Sequence, residues 1–200
     1  MTGPLALILC AAGGYLLGSI PFGVVATHLG GLGDIRNVGS GNIGATNVLR
    51  TGRRDLALFT LLGDGAKGAV AVLIGALISP LAAAVAGGAA FLGHLFPVWL
   101  RFRGGKGVAT FFGVSIAAFW PAGLLAGATW IAMAAIFRFS SLASITAAVL
   151  APILFGFLVG WGAPVFWLAI GMAALIVFRH QENIARLIEG KEPRIGASKA

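Results

Sequence analysis

Residues 68–100, 107–137 and 139–178 contain no lysine, arginine, aspartate or glutamate, and uncharged runs of that length largely decide the solvent in which the chain folds. An α-helix rises about 1.5 Å per residue and a hydrocarbon core is about 30 Å thick, so about 20 apolar residues make one crossing. The first run, extended back through weakly charged sequence from Leu56, is too long for one crossing, as is the third, and all three are interrupted by turn signals: Ser79-Pro80, Trp120-Pro121, and the segment from Gly160 to Pro164. Each therefore reads as a helical hairpin. An opening apolar run reaches about residue 29, lacks a basic n-region and is long for a cleavable signal, so it reads as the first span. The expectation is an all-α integral membrane protein with seven transmembrane helices in a single polytopic domain, 1–200, with spans at about 4–28, 56–78, 80–100, 107–120, 121–137, 140–159 and 163–178. Two spans within 107–137 are short, and a tilted or re-entrant geometry is the alternative there.

Charge placement supplies an independent test. If the spans alternate as above, Arg36, Arg50, Arg53 and Arg54, then Arg101, Arg103 and Lys106, then Arg138, and finally Arg179, Arg186, Lys191, Arg194 and Lys199 all fall on one face, whereas the turns near 79, 120 and 162 carry no charge. Basic residues accumulate on the cytoplasmic side, which puts the N-terminus outside, the C-terminus in the cytoplasm and the glycine-rich loops on the cytoplasmic face. The net charge of +8 thus reflects topology and anionic small substrates, and no nucleic-acid partner is expected. The 31 glycines are scattered among alanines in apolar sequence, as close helix packing in a membrane requires. Cys10, the single cysteine, has no intramolecular disulfide partner.

The loops carry the chemistry. Residues 34–50 (DIRNVGSGNIGATNVLR) combine Gly39, Gly41 and Gly44 with Ser40, Asn42, Thr46 and Asn47 between arginines. Glycines let backbone N–H groups turn toward an anion, hydroxyls and amides add neutral donors, and a helix beginning near Thr46 would aim its positive end at the same place. The segment matches neither a Walker A loop nor a dinucleotide fingerprint. A polar loop whose arginines only fix topology is the alternative, though it leaves the small polar donors unexplained. Residues 94–110 set Arg101, Arg103 and Lys106 around Gly104-Gly105, a second phosphate cradle or a juxtamembrane cluster for anionic headgroups. His94 fits a base or a hydrogen-bonded structural residue. Arg179, Glu182, Asn183 and Arg186 share one face if 179–186 is a continuous helix, with His180 beside them as a substrate donor or a cap. Asp64 and Lys67, three residues apart inside a span, must pair or line a polar cavity. Ser140, Ser141 and Ser144 open the sixth span and offer donors or an N-cap. No zinc spacing, HExxH helix or nucleophile elbow is present, so no metal or other cofactor is expected.

Taken in order, GSIPFG at 18–23, SGNIGATN at 40–47, GDGAKG at 63–68, HLFP at 94–97 with GGKGVAT at 104–110, and HQENI at 180–184 closely resemble the bacterial acyl-phosphate-dependent glycerol-3-phosphate acyltransferases over almost the whole chain. The His-x4-Asp pattern of the other large class of glycerolipid acyltransferases is absent, since Gly33, Trp99 and Ala185 lie five residues after the histidines. The resemblance implies transfer of a fatty acyl group from acyl phosphate to the 1-hydroxyl of glycerol 3-phosphate, giving lysophosphatidic acid and inorganic phosphate for phospholipid biosynthesis. It further implies a multi-pass protein of the bacterial cytoplasmic (inner) membrane, in contact with membrane lipids, working on the cytoplasmic face beside a soluble acyl-phosphate-producing enzyme. By the same resemblance Ser40, Gly41, Asn42, Gly44 and Thr46 hold acyl phosphate, Arg50, Lys106, Ser144, His180 and Asn183 hold glycerol 3-phosphate, and Ser40, Lys106, His180 and Asn183 are the catalytic set. A transporter of organic phosphates would use similar anion-binding parts, and a lipid-binding scaffold would explain the charge; phosphate release separates the enzyme from both.

Overall fold

The computed structural model describes residues 3–196; Lys199, part of the expected basic tail, lies outside them. All regular structure among the described residues is helical, and the chain divides between Phe119 and Trp120 into two compact units.

The first unit contains α1 (Pro4–Gly18), α2 (Phe22–Leu29), the one-turn α3 (Ala45–Leu49), α4 (Arg54–Ala76), α5 (Pro80–Leu95) and α6 (Val108–Ala118), with short 3₁₀ turns at Ile35–Asn37 and Val98–Leu100. Its helices meet through small residues, with Phe91, Leu95 and Phe111 filling the space between them. On α5, Ala82, Ala86, Gly87 and Ala90 are buried, whereas Leu81 and Leu92 are exposed; at the end of α4, Leu77 is 86% exposed. A soluble protein would invert that arrangement. In lipid, where the outside is as apolar as leucine, helices associate through close backbone contact. A Cβ at Gly18 would run into the Ala90 backbone, and one at Gly113 on α6 would run into the Gly65 carbonyl on α4.

The first apolar run is broken. Pro21 has no N–H to continue the helix and disfavours helical backbone at Ile20, so α1 ends and α2 restarts across Ser19-Ile20-Pro21. The break is closed by a tight turn in which Phe22 N–H donates to Ile20 O at 3.2 Å.

The second unit contains α7 (Trp120–Phe137), α8 (Ser140–Leu158), α9 (Pro164–Arg179) and α10 (Gln181–Ile188). α7 packs on α8 and α8 on α9. Helix starts fall where the sequence places its signals: Ser79 caps α5, accepting from Ala82 N–H at 3.1 Å, and Pro80 and Pro164 occupy the first helical positions of α5 and α9. The serines after Arg138 behave differently, because the N-cap of α8 is Phe139 and no side chain caps it.

Among the described residues five segments are long and apolar enough to cross a membrane, Pro4–Leu29, Arg54–Ala76, Pro80–Leu100, Trp120–Phe137 and Ser140–Leu158, and α9 with α10 adds a sixth if the pair, bent by 59°, counts as one. α6 has 11 residues and spans only about 16 Å, well short of the hydrocarbon thickness. The same bend corrects the expected polar face over 179–186: Arg179 ends α9, His180 is the junction, and only Glu182, Asn183 and Arg186 share α10.

Candidate active site

The 34–50 segment is organised around one buried amide. Asn47, 2% exposed on α3, accepts from Ser40 N–H at 3.0 Å and from Ser40 Oγ at 3.2 Å, while its Nδ2 donates to Ile35 O at 3.2 Å and Val38 O at 2.8 Å. All four hydrogen-bonding positions of the amide side chain are thus used within the loop. Gly39 and Gly41 take φ of +60° and +69°, which L side chains rarely adopt, and a Cβ at Gly39 would press on Asn47 Oδ1 and approach Arg50 Cδ. The loop therefore brings Ser40, Asn47 and Arg50 together. Ser40, Gly41, Thr46 and Arg50 are exposed and Asn42 and Gly44 half-buried, so this group is open to a ligand. α3 begins at Ala45, as the expected helix near Thr46 requires, but its five residues give one turn, and backbone and side-chain donors outweigh any helix dipole. Asp34 caps the preceding turn through Arg36 N–H at 2.9 Å, and hydrogen bonds from the Arg36 side chain and backbone hold its carboxyl below the usual carboxylate value.

The glycines of the second segment serve a different end from the expected cradle. Gly104 N–H donates to Leu95 O at 3.0 Å and Gly105 N–H to His94 O at 3.1 Å, so both amides turn inward. A Cβ at Gly104 would collide with the His94 carbonyl, and one at Gly105 with His94 Nε2. Close approach explains this glycine pair, and Lys106, half-buried beside it, carries the positive charge.

Beneath this turn lies the buried charge group. Lys67 Nζ is 2.8 Å from Asp64 Oδ1 and donates to Ile20 O at 2.8 Å, the carbonyl exposed by the break before α2, and it stands over the Phe22 ring at 5.9 Å. His94 Nδ1 is 3.4 Å from the same Asp64 oxygen. The expected Asp64–Lys67 pair is present, and its links to Ile20 and His94 are additions that spacing alone does not show.

In the second unit, Ser144 is buried and its hydroxyl is engaged, donating to Ser140 O at 2.7 Å and accepting from Trp130 Nε1 at 3.0 Å. His180, 3% exposed, has Nδ1 at 2.7 Å from Ile176 O. A carbonyl only accepts, so the proton of a neutral ring sits on Nδ1 and Nε2 is its acceptor. Sequence reading passed over Glu192. Its Oε1 accepts from Asn183 Nδ2 at 2.6 Å and from Ser141 Oγ at 2.7 Å, and its Oε2 from Arg186 Nε at 2.7 Å. Burial pushes this carboxyl up, but the hydrogen bonds from Ser141, Asn183 and Arg186 outweigh it and leave the group below its usual value. The available signal was an acidic residue set directly before Pro193 at the start of the basic tail. That tail is also tied down, through Ile195 N–H to Arg138 O at 2.7 Å and Arg138 Nη2 to Ile195 O at 3.1 Å. Among the described residues no three His, Cys, Asp or Glu side chains group as metal ligands.

Apolar helices that meet through small residues, carrying hydroxyl-, amide- and lysine-bearing loops at their ends, define a helical integral membrane protein with polar sites at the span ends. The profile of the family described as Glycerol-3-phosphate acyltransferase matches residues 8–190. The glycerol-3-phosphate acyltransferase of Caulobacter vibrioides (strain NA1000 / CB15N) is 62% identical over 199 residues, covering 98% of this chain and 90% of that one, and that of Maricaulis maris is 54% identical over 202 residues, covering 100% and 92%. Two crystal structures of PlsY (YgiH), an integral membrane glycerol 3-phosphate acyltransferase, superpose closely. The glycerol 3-phosphate form has a TM-score of 0.89 at 41% identity, covering 95% of this chain and 96% of that one; the lysophosphatidic acid form has a TM-score of 0.87 at 39% identity, covering 95% of each. The chain belongs to the glycerol-3-phosphate acyltransferase family.

Proposed function

We propose that this acyltransferase moves a fatty acyl group from acyl phosphate to the 1-hydroxyl of glycerol 3-phosphate, releasing lysophosphatidic acid and inorganic phosphate. The likeness to a solved acyltransferase with glycerol 3-phosphate and lysophosphatidic acid forms is the observation that carries the acceptor and the product. Acyl phosphate as donor rests on the loop motifs. In the reaction the acceptor oxygen attacks the acyl carbonyl, the tetrahedral oxyanion collapses, and the bond from carbonyl carbon to phosphate oxygen breaks. Phosphate is already a good leaving group, so positioning and oxyanion stabilisation supply much of the rate. The hydroxyl proton passes to a phosphate oxygen of the substrate.

Ser40 is a binding donor in this scheme. Its hydroxyl faces the Asn47 amide oxygen, which cannot take a proton as a general base does. Ser40, Gly41, Asn42, Gly44 and Thr46 hold the acyl-phosphate head; Arg50 and Lys106 bind glycerol 3-phosphate, and His180, Asn183 and Ser144 are assigned to the same substrate by the family motifs. Ser144 has the weakest support, since its hydroxyl is already engaged. The chain works in the bacterial inner membrane with its loops in the cytoplasm and seven crossings, a count supported by the one-sided placement of basic residues and requiring α6 to be a short crossing. A soluble enzyme that makes acyl phosphate is the implied partner.

The test is phosphate release by purified protein in lipid given palmitoyl phosphate, with and without glycerol 3-phosphate. Release that needs both substrates and is lost in Lys106→Ala supports the proposal. Absence of release in any lipid, with uptake of phosphate esters into vesicles, would replace it with transport.

A further inference from the structure

An ionisable side chain inside a membrane-spanning helix is costly and needs a reason. Asp64 and Lys67 satisfy each other and the Ile20 carbonyl, which accounts for their survival but not for what else Asp64 holds. It lies against both flanks of the turn that bears Lys106, bonded to one and within 3.4 Å of the other. On one side its carboxylate faces His94 Nδ1, in the last turn of α5. On the other its backbone carbonyl accepts from Thr110 Oγ1 at 2.9 Å, in the first turn of α6.

His94 extends the contact. With Nδ1 toward the carboxylate, the far edge of the ring, Nε2, lies where a Cβ on Gly105 would be, and the His94 carbonyl accepts Gly105 N–H at 3.1 Å. Ring and backbone of one residue thus fix Gly105, the neighbour of Lys106. A purely structural ion pair would need neither the histidine nor the threonine.

We infer that Asp64 and His94 are positioning residues for glycerol 3-phosphate, setting the Gly104–Gly107 turn and through it Lys106 from inside the first unit. The inference rests on the proposed role of Lys106. The acyl donor is assigned to the 40–47 loop, which none of the contacts named above touches.

The measurement is kcat and KM for each substrate with the full-length protein in lipid nanodiscs, alongside melting temperatures. His94→Asn keeps a donor facing Asp64 and removes the ring edge from Gly105. It is expected to raise KM for glycerol 3-phosphate about tenfold, equivalent to about one strong hydrogen bond, with KM for acyl phosphate shifted less than about twofold and melting close to wild type. Thr110→Val, which preserves volume, is expected to raise the same KM about threefold, and it stands as the test if His94→Asn does not fold. In whichever variant folds, both KM values moving together, or neither moving, would overturn the inference, as would a Thr110→Val enzyme whose only change is a loss of Vmax that tracks loss of folded protein. Lys106→Ala separates the two levels. If it raises KM for glycerol 3-phosphate while His94→Asn and Thr110→Val do not, only the positioning role falls; if it leaves that KM unchanged, the site assignment falls and the inference with it.

Discussion

Replacing Glu192 by alanine removes one carboxylate and strands three donors. Ser141 and Asn183 are 5% and 8% exposed, so each buried group left without its acceptor costs about 1–3 kcal/mol. The Arg186 side chain is 35% exposed and can turn to water, which limits its share to about 0–1 kcal/mol. The total is about 2–7 kcal/mol, and at about 2–4 °C per kcal/mol for a chain of this size the melting temperature should fall by at least about 4 °C. Glu192→Gln retains an acceptor for Ser141 and Asn183 but turns an amide N–H toward Arg186, so its loss should be less than half as large. Tryptophan fluorescence in detergent is the assay, with Trp130, Trp161 and Trp167 reporting from the same unit. A Glu192→Ala melt within about 1 °C of wild type would refute the claim that this carboxylate holds Asn183 in place.

Because the folded Glu192 carboxyl is held below its usual value, its stabilisation is fully present above about pH 4.5, where the unfolded group is ionised, and is lost as pH falls through the lower folded value; Glu192→Gln should flatten this part of the acid limb in a melting series. Gly113→Ala should lower the melting temperature by several degrees, the equivalent of about 1–3 kcal/mol, because its methyl meets the Gly65 backbone and not a yielding side chain. Asn47→Leu should raise KM for acyl phosphate at least about tenfold, since two carbonyls and the Ser40 donors lose their partner at once. In a Cys10→Ala background, cysteine at position 79 should react with an impermeant reagent from outside the cell and cysteine at 103 only after lysis; the reverse pattern would invert the proposed orientation.

Much of this arrangement is legible in order along the chain. Ser79-Pro80 and Pro164 announce helix starts because a cap and a missing N–H act locally, and Asp64-x-x-Lys67 announces a pair because three residues bring two side chains onto one helix face. Contacts between distant segments were not legible. Glu192 meets Ser141 from a non-helical tail that no periodicity describes, and the bend at His180 removes Arg179 from a face that a continuous helix would have given it. The glycines beside Lys106 show a second kind of limit. A glycine that frees its N–H for a ligand and one that clears space for a neighbouring carbonyl are written with the same letter, and only the positions of His94 and Leu95 tell them apart.

The break at Pro21 bears on which single changes this interior tolerates. A proline that interrupts a helix in lipid exposes the Ile20 carbonyl without a full set of helical partners, and a lysine in a neighbouring helix brings an ammonium that hydrocarbon cannot solvate. Here the carbonyl accepts one ammonium hydrogen at 2.8 Å while the Asp64 carboxylate balances the charge. Neither Pro21→Ala nor Lys67→Met is therefore a neutral single change: the first closes the break that presents the carbonyl, the second strands that carbonyl and the Asp64 carboxylate together, so the kink and the buried cation stand or fall as one unit.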